Sequence, residues 1–229
     1  MQLSIGYSPC PNDTYIFDAL IHQKIDTKGI EFKLTMADVK ELNTMAFDSK
    51  LDITKLSFHA FAYLTDKYTL LDAGAALGNN CGPLLIAKKK LEKETIIKSK
   101  IAIPGKYTTA NFLLSLAYPE AKNKEEMQFD EIESAVLENR CSSGLIIHEN
   151  RFTYEEKGLQ KIIDLGEFWE QQYKLPIPLG AIVIKRNLEP NLKNTINELV
   201  AQSVRFAFDN PTSSKDYILQ HAQEMELDV

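Results

Sequence analysis

The chain has 229 residues, of which 44% are hydrophobic and 25% charged, and a net charge of −6. That length and apolar content argue against a stapled mini-protein or a disordered chain, and leave room for one large domain or two small ones. The acidic balance offers no general attraction to nucleic-acid phosphates, and the only dense basic run, Lys88-Lys89-Lys90, reads as a solvated strand end.

In chain order, Gln2–Tyr7 reads as a strand, followed by the turn Ser8-Pro9-Cys10-Pro11-Asn12-Asp13 and a helix over Thr14–Gln23 capped by Asn12 or Asp13. Ile30–Met36 alternates as a strand and Val39–Ser49 has helical spacing. Leu51–Leu56 is a buried strand, and Ser57–Lys67 is an aromatic-rich helix. Tyr68–Ala73 and Cys81–Lys88 are strands around a Gly/Asn-rich loop. From residue 94 a second block begins, with a strand at Lys100–Ile103, helices at Thr108–Ala117 and Phe129–Glu138, and a short strand at Ser143–Ile147. Leu159–Leu165 is strand-like, Glu167–Tyr173 is helical and Ile177–Ile184 is apolar. Glu189–Asp209 forms one long amphipathic helix ended by Pro211, with a shorter helix after it.

Alternating strands and helices make this an α/β protein. Pro83–Lys88 (PLLIAK) and Pro178–Lys185 (PLGAIVIK) resemble each other and bracket about ninety residues, a size within the domain range. They suit a chain that leaves one lobe and returns to it, with 1–88 and 185–229 as the first lobe and 89–184 as the second. A single doubly wound sheet fits the pattern equally well.

Three cysteines without CxxC spacing argue against a disulfide framework or structural zinc and suit a reducing compartment. The first residues have neither the basic nor the apolar region of a secretory signal, and no run approaches the ~18 apolar residues of a membrane span. These features lead to an expectation of a cytoplasmic protein with no membrane or nucleic-acid partner.

Four segments carry chemistry-bearing residues at strand ends or helix starts, where open α/β sheets collect ligands. Ser8–Thr14 (SPCPNDT) offers Ser8, Asn12 and Asp13 beside free helix-start N–H groups, or is a rigid turn with an N-cap. Cys10 is a nucleophile without a sequence-local base, or a packed thiol. In Thr54–His59, Lys55 pairs an anion or sits at the surface, and Ser57 meets a ligand or caps a helix. Pro104–Asn111 (PGKYTTAN) lacks the ending of a phosphate-binding P-loop and fits a small carboxylate or hydroxylated ligand better. His148 follows an apolar strand and titrates near neutrality, which suits a general base. Taken alone, a hydrogen-bonded structural histidine is the commoner case. Glu149 and Arg151 either orient neighbours or bind charge. HExxH and GxSxG are absent, so no metal is expected.

The ordered set SPCPNDTYIFDAL, KLSFHA, GPLLIAK, PGKYTTANFLL and IHENRFTY resembles the 1,4-dihydroxy-6-naphthoate synthase family of the futalosine route to menaquinone. The resemblance implies a two-lobed type II periplasmic-binding-protein-like fold with a hinge and an inter-lobe cleft. It also implies conversion of cyclic dehypoxanthine futalosine to 1,4-dihydroxy-6-naphthoate with release of dihydroxyacetone, without cofactor or metal. Carried onto this chain, it makes His148 the proton acceptor and Lys55, Leu56, Ser57, Thr109 and Ala110 substrate contacts, with Ser8, Asn12 and Asp13 of the opening motif beside them. Family members are expected to run some tens of residues past Val229. The alternatives are a non-catalytic small-carboxylate binding protein and a chorismate-dehydratase-like enzyme of the same pathway.

Overall fold

The structure is a computed structural model and describes residues 1–79, 81–148 and 150–221. Glu149 and the chain end after His221, on both of which the sequence raised expectations, lie outside the described residues. The strands are β1 (Gln2–Tyr7), β2 (Glu31–Met36), β3 (Ile53–Ser57), β4 (Tyr68–Leu70), β5 (Ala76–Gly78), β6 (Leu84–Ala87), β7 (Ile101–Ile103), β8 (Lys124–Glu126), β9 (Ser143–Ile146), β10 (Gln160–Asp164) and β11 (Ile177–Lys185). The helices are α1 (Pro11–Ile21), α2 (Val39–Phe47), α3 (Phe58–Phe61), α4 (Lys93–Lys98), α5 (Thr109–Ala117), α6 (Ile132–Leu137), α7 (Asn150–Thr153), α8 (Leu165–Tyr173), α9 (Pro190–Asp209) and α10 (Lys215–His221). A 3₁₀ turn, Phe129–Glu131, leads into α6.

The chain divides into two compact units, Met1–Ala76 with Gly180–Val229, and Leu77–Leu179. The first unit holds a mixed sheet in the order β2-β1-β3-β11-β4, with β5 also on β11. β1 runs parallel to β2 and β3, and β11 runs antiparallel to β3 and β4. Its core joins Ile5, Tyr7, Ile53, Ile182 and Ile184 of the sheet to Phe17 and Leu20 of α1 and to Ile196, Leu199 and Val200 of α9. Those α9 residues lie three and four apart, which puts them on one helical face.

The second unit holds a sheet in the order β10-β6-β9-β7-β8. Its central strands β6, β9 and β7 are buried on both faces, and the period of two sorts them. Leu84, Ile86, Ala102 and Ile146 face one core with Ile132, Ala135 and Val136 of α6. Leu85, Ile101, Ile103 and Leu145 face the other, with Leu113 and Leu114 of α5 and Leu165 of α8.

This places PLLIAK in the second unit, whereas the sequence assigned residues up to 88 to the first. The strand β6 pairs antiparallel with β9 and β10, so it cannot be separated from that sheet. Its look-alike β11 pairs with β3 and β4 in the first. Other boundaries also move. α1 begins at Pro11 behind Cys10, because proline with its fixed φ suits a first helical position. The aromatic helix expected over Ser57–Lys67 stops at Phe61. Beyond it, i→i+3 turns take over at Tyr63, Leu64 and Lys67, and Leu64 and Tyr68 are both buried.

Candidate functional site

The first cluster grows from the end of β1. Asp13, fully buried, is one of the two residues, with Asn12, that the sequence offers as a cap for α1. Instead its carboxylate turns back and accepts the Ser8 N–H at 3.0 Å and the Ser8 hydroxyl at 2.6 Å through Oδ2. The N-cap position belongs to Cys10, which makes no side-chain cap bond. Lys55 extends from β3 and pairs through Nζ with the other Asp13 oxygen, with Cys10 Sγ 3.9 Å away. Its side chain is 11% exposed, so Lys55 is not a surface lysine, and its charge is already matched within the protein. Burial works to lower the Lys55 ammonium, but the charge and hydrogen bond of Asp13, together with Cys10, outweigh it and hold the group above its ordinary range. Burial, reinforced by Asp13, pushes the Cys10 thiol up, so at neutral pH it is a thiol and not a nucleophilic thiolate.

Two residues along β3 lies Ser57. It could have capped the next helix, but its side chain makes no cap bond. Asn43 of α2 grips it from both sides: Asn43 Oδ1 accepts the Ser57 N–H at 3.0 Å and Asn43 Nδ2 donates to Ser57 Oγ at 3.2 Å. Asn43 was not singled out from the sequence. Its signal was there, a polar residue on the same face of α2 as buried Leu42 and Ala46. Leu56 is fully buried, so only its backbone is available for polar contact. Asn12 is exposed on α1 and does not join the cluster of Ser8, Asp13, Lys55 and Cys10.

In the second unit, α5 opens with Thr108 as N-cap, its Oγ1 accepting the Asn111 N–H at 3.2 Å and donating to Gly105 O at 2.8 Å. Thr109 turns its hydroxyl onto Leu179 O at 2.9 Å, with Pro178 O 3.2 Å away, fastening the helix start to β11. Its side chain is thus engaged, and what Thr109 and Ala110 present at the helix start is backbone N–H.

His148 stands just past β9 in the left-handed region, with φ of 58°. Its ring meets Phe129 edge to face at 5.3 Å. Asn150 and Arg151, which follow, are both tied down. Asn150 Nδ2 donates to Glu133 Oε2 at 2.6 Å, and Arg151 reaches Gly82 O at 2.5 Å and Asp164 Oδ2 at 2.6 Å. Arg151 is thus bonded within the protein and has its charge balanced by Asp164. Burial opposes its charge, and Asp164 overrides that and raises its basicity further. Among the described residues no group of three or more His, Cys, Asp or Glu side chains could hold a metal ion. No described helix is long and apolar enough to cross a membrane.

Two α/β units, with polar side chains gathered at strand ends and helix starts, define a protein of the periplasmic-binding-protein-like class. Solved structures agree on the fold. An alkanesulfonate-binding protein from Xanthomonas axonopodis superposes with a TM-score of 0.70 at 11% identity, covering 96% of this chain and 78% of that one. A ligand-binding component of an ABC-type importer from Staphylococcus aureus gives 0.71 at 14%, covering 98% and 80%. A crystal structure of an Archaeoglobus fulgidus protein is far nearer, with a TM-score of 0.92 at 36% identity over 98% of this chain and 83% of that one.

A family model described as menaquinone biosynthesis matches residues 3–229, and the chain belongs to that family. Curated relatives from Thermus thermophilus and Streptomyces coelicolor are both named 1,4-dihydroxy-6-naphthoate synthase. The first is 41% identical over 99% of this chain and 82% of its own length, the second 40% over 98% and 80%.

Proposed function

We propose that this protein is the lyase that converts cyclic dehypoxanthine futalosine to 1,4-dihydroxy-6-naphthoate, releasing dihydroxyacetone. The observation that carries the reading is the near-full-length identity of about 40% to two proteins of that name. In this reading His148 removes a proton made acidic by a neighbouring carbonyl, the electrons expel the sugar-derived fragment, and the ring becomes aromatic, which supplies driving force. Thr109 and Ala110 hold substrate through the backbone N–H groups of the α5 start, and Ser57 through its hydroxyl. Ser8, Asp13, Lys55 and the backbone of Leu56 complete the contacts, with Asn12 outside their cluster. Because Lys55 is matched by Asp13, that cluster presents donors without net charge and suits hydroxyl or carbonyl groups. A cytoplasmic location belongs to the same proposal.

The test is incubation of the purified protein with cyclic dehypoxanthine futalosine while naphthoate absorbance is followed. A general base contributes about 10²–10⁴-fold, so His148→Asn lowers kcat by at least ~100-fold with the fold intact. Near-normal turnover by that variant removes His148 from the role. The binding-protein reading draws on the fold likeness to the solute-binding proteins, and tight binding without turnover would decide for it. Turnover of chorismate instead would decide for the dehydratase.

A further inference from the structure

His148 has a backbone conformation that L-residues with a β-carbon avoid, and such a residue persists only where its surroundings over-determine it. Here they do so from two directions. The 3₁₀ turn that starts at Phe129 runs directly into α6, which carries Glu133. Phe129 receives the His148 ring edge to face, and Glu133 receives the Asn150 side chain, so one continuous stretch of chain references both the imidazole and the residue two positions after it. Asn150 and Glu133 are 2% and 3% exposed, and α6 is packed against β9, the strand that delivers His148. Lys157 stands 2.8 Å from the same Glu133 oxygen and balances its charge.

The second anchor is Arg151. One arm of its guanidinium donates to the Gly82 carbonyl and the other to Asp164, a buried carboxylate whose second oxygen accepts the Gly166 and Glu167 N–H groups and caps α8. Gly82 and Gly166 touch so closely that a β-carbon on Gly82 would lie 2.5 Å from the Gly166 backbone. Arg151 is thus fastened to a junction with little room to shift. Its own N–H closes the turn onto the His148 carbonyl at 3.3 Å.

We infer that Asn150 and Arg151 are positioning residues for His148: their side chains clamp the turn to α6 on one side and to the Gly82–Asp164 junction on the other, and so aim the imidazole. The inference rests on the reading of His148 as the base. A clamp of this kind acts on the chemical step and not on affinity, because a small misplacement of a reacting group can cost orders of magnitude in rate.

The experiment uses the full chain carrying Asn150→Ala or Arg151→Lys. The imidazole resonance of His148, assigned by its loss in His148→Asn, is recorded at fixed pH without substrate, and kcat, KM and melting temperature are measured beside it. The expected result is a displaced or broadened resonance and a fall in kcat of ~10-fold or more, with KM within ~3-fold. In a His148→Asn background, the same substitutions cost no further turnover. An unmoved resonance overturns the inference, and so does unchanged kcat or a full additional loss in that background. If His148→Asn itself turns over normally, the base assignment fails while the resonance still reports on the clamp. Should Asn150→Ala not fold, Arg151→Lys, which keeps the charge toward Asp164 and loses the forked geometry, decides alone.

Discussion

The buried Lys55–Asp13 pair is the residue-scale feature with the largest consequence for stability. Breaking a buried ion pair by removing one partner strands a charge and costs about 3–5 kcal/mol, although Ser8 still donates two bonds to Asp13. Lys55→Met should therefore lower the urea midpoint at pH 7 by an amount equivalent to roughly 3 kcal/mol or more. A loss below about 1 kcal/mol would show that the pair is largely solvated. Because the Lys55 ammonium is held above its ordinary value, this contribution is complete below the unfolded lysine value and fades only as pH rises through the folded one. Ser8, Asp13 and Lys55 were each visible in the sequence as polar residues at strand ends or a helix start. That Asp13 folds back to Lys55 instead of capping α1 was not, since its partner is 42 positions away. Cys10 was open between nucleophile and packed thiol, and burial beside a carboxylate favours the thiol.

Strongly periodic elements read correctly, and so did the short apolar strands β7 and β9, whereas short polar elements did not. β1, α5 and α9 fall within a residue or two of expectation because their apolar spacing is unbroken and Thr108 and Pro190 mark the helix starts. β8 was missed because Lys124-Glu125-Glu126 has no strand-like pattern. It is an edge strand whose charges suit solvent, and only its parallel pairing with β7 makes it a strand. Glu133 was missed although it breaks the apolar face of α6 beside Ile132 and Val136, the kind of violation that marks a working residue. At this scale the Gly82–Gly166 contact makes a prediction. In Gly82→Ala the new carbon meets backbone that cannot rotate away, so overpacking costs about 1–3 kcal/mol and the Gly82 carbonyl shifts from Arg151. Differential scanning calorimetry should show a lower melting temperature, and turnover should fall with it. An unchanged pair of values would mean that the junction yields freely.

For the molecule as a whole, acid should act first on the unit built from both chain ends. Two of its carboxylates tie distant segments together. Asp18 on α1 accepts from Lys24, Ser214 and His22, and Asp52 accepts from Ser4 of β1 and Lys185 of β11. Burial works to raise both, and these donors outweigh it, holding both below the usual carboxylate range. A depressed folded value means stability that is present above the unfolded value of about 3.9 and lost as pH falls through the folded one. Urea midpoints of the wild type and Asp18→Asn should therefore differ at pH 7 and converge below about pH 4. A constant gap would remove Asp18 from the acid response. The sequence by itself determined the α/β class, the places of the chemistry-bearing residues at strand ends and helix starts, and the motif set that leads to the menaquinone family. All of these depend on local spacing and on residues near one another in the chain. Only the tertiary structure decided which sheet owns PLLIAK, that Lys55 is matched by Asp13, and that Asn150 and Arg151 are held by Glu133, Asp164 and Gly82. Strand pairing and buried ion pairs join positions tens of residues apart, and the energy that selects them arises only when burial removes water from both partners at once.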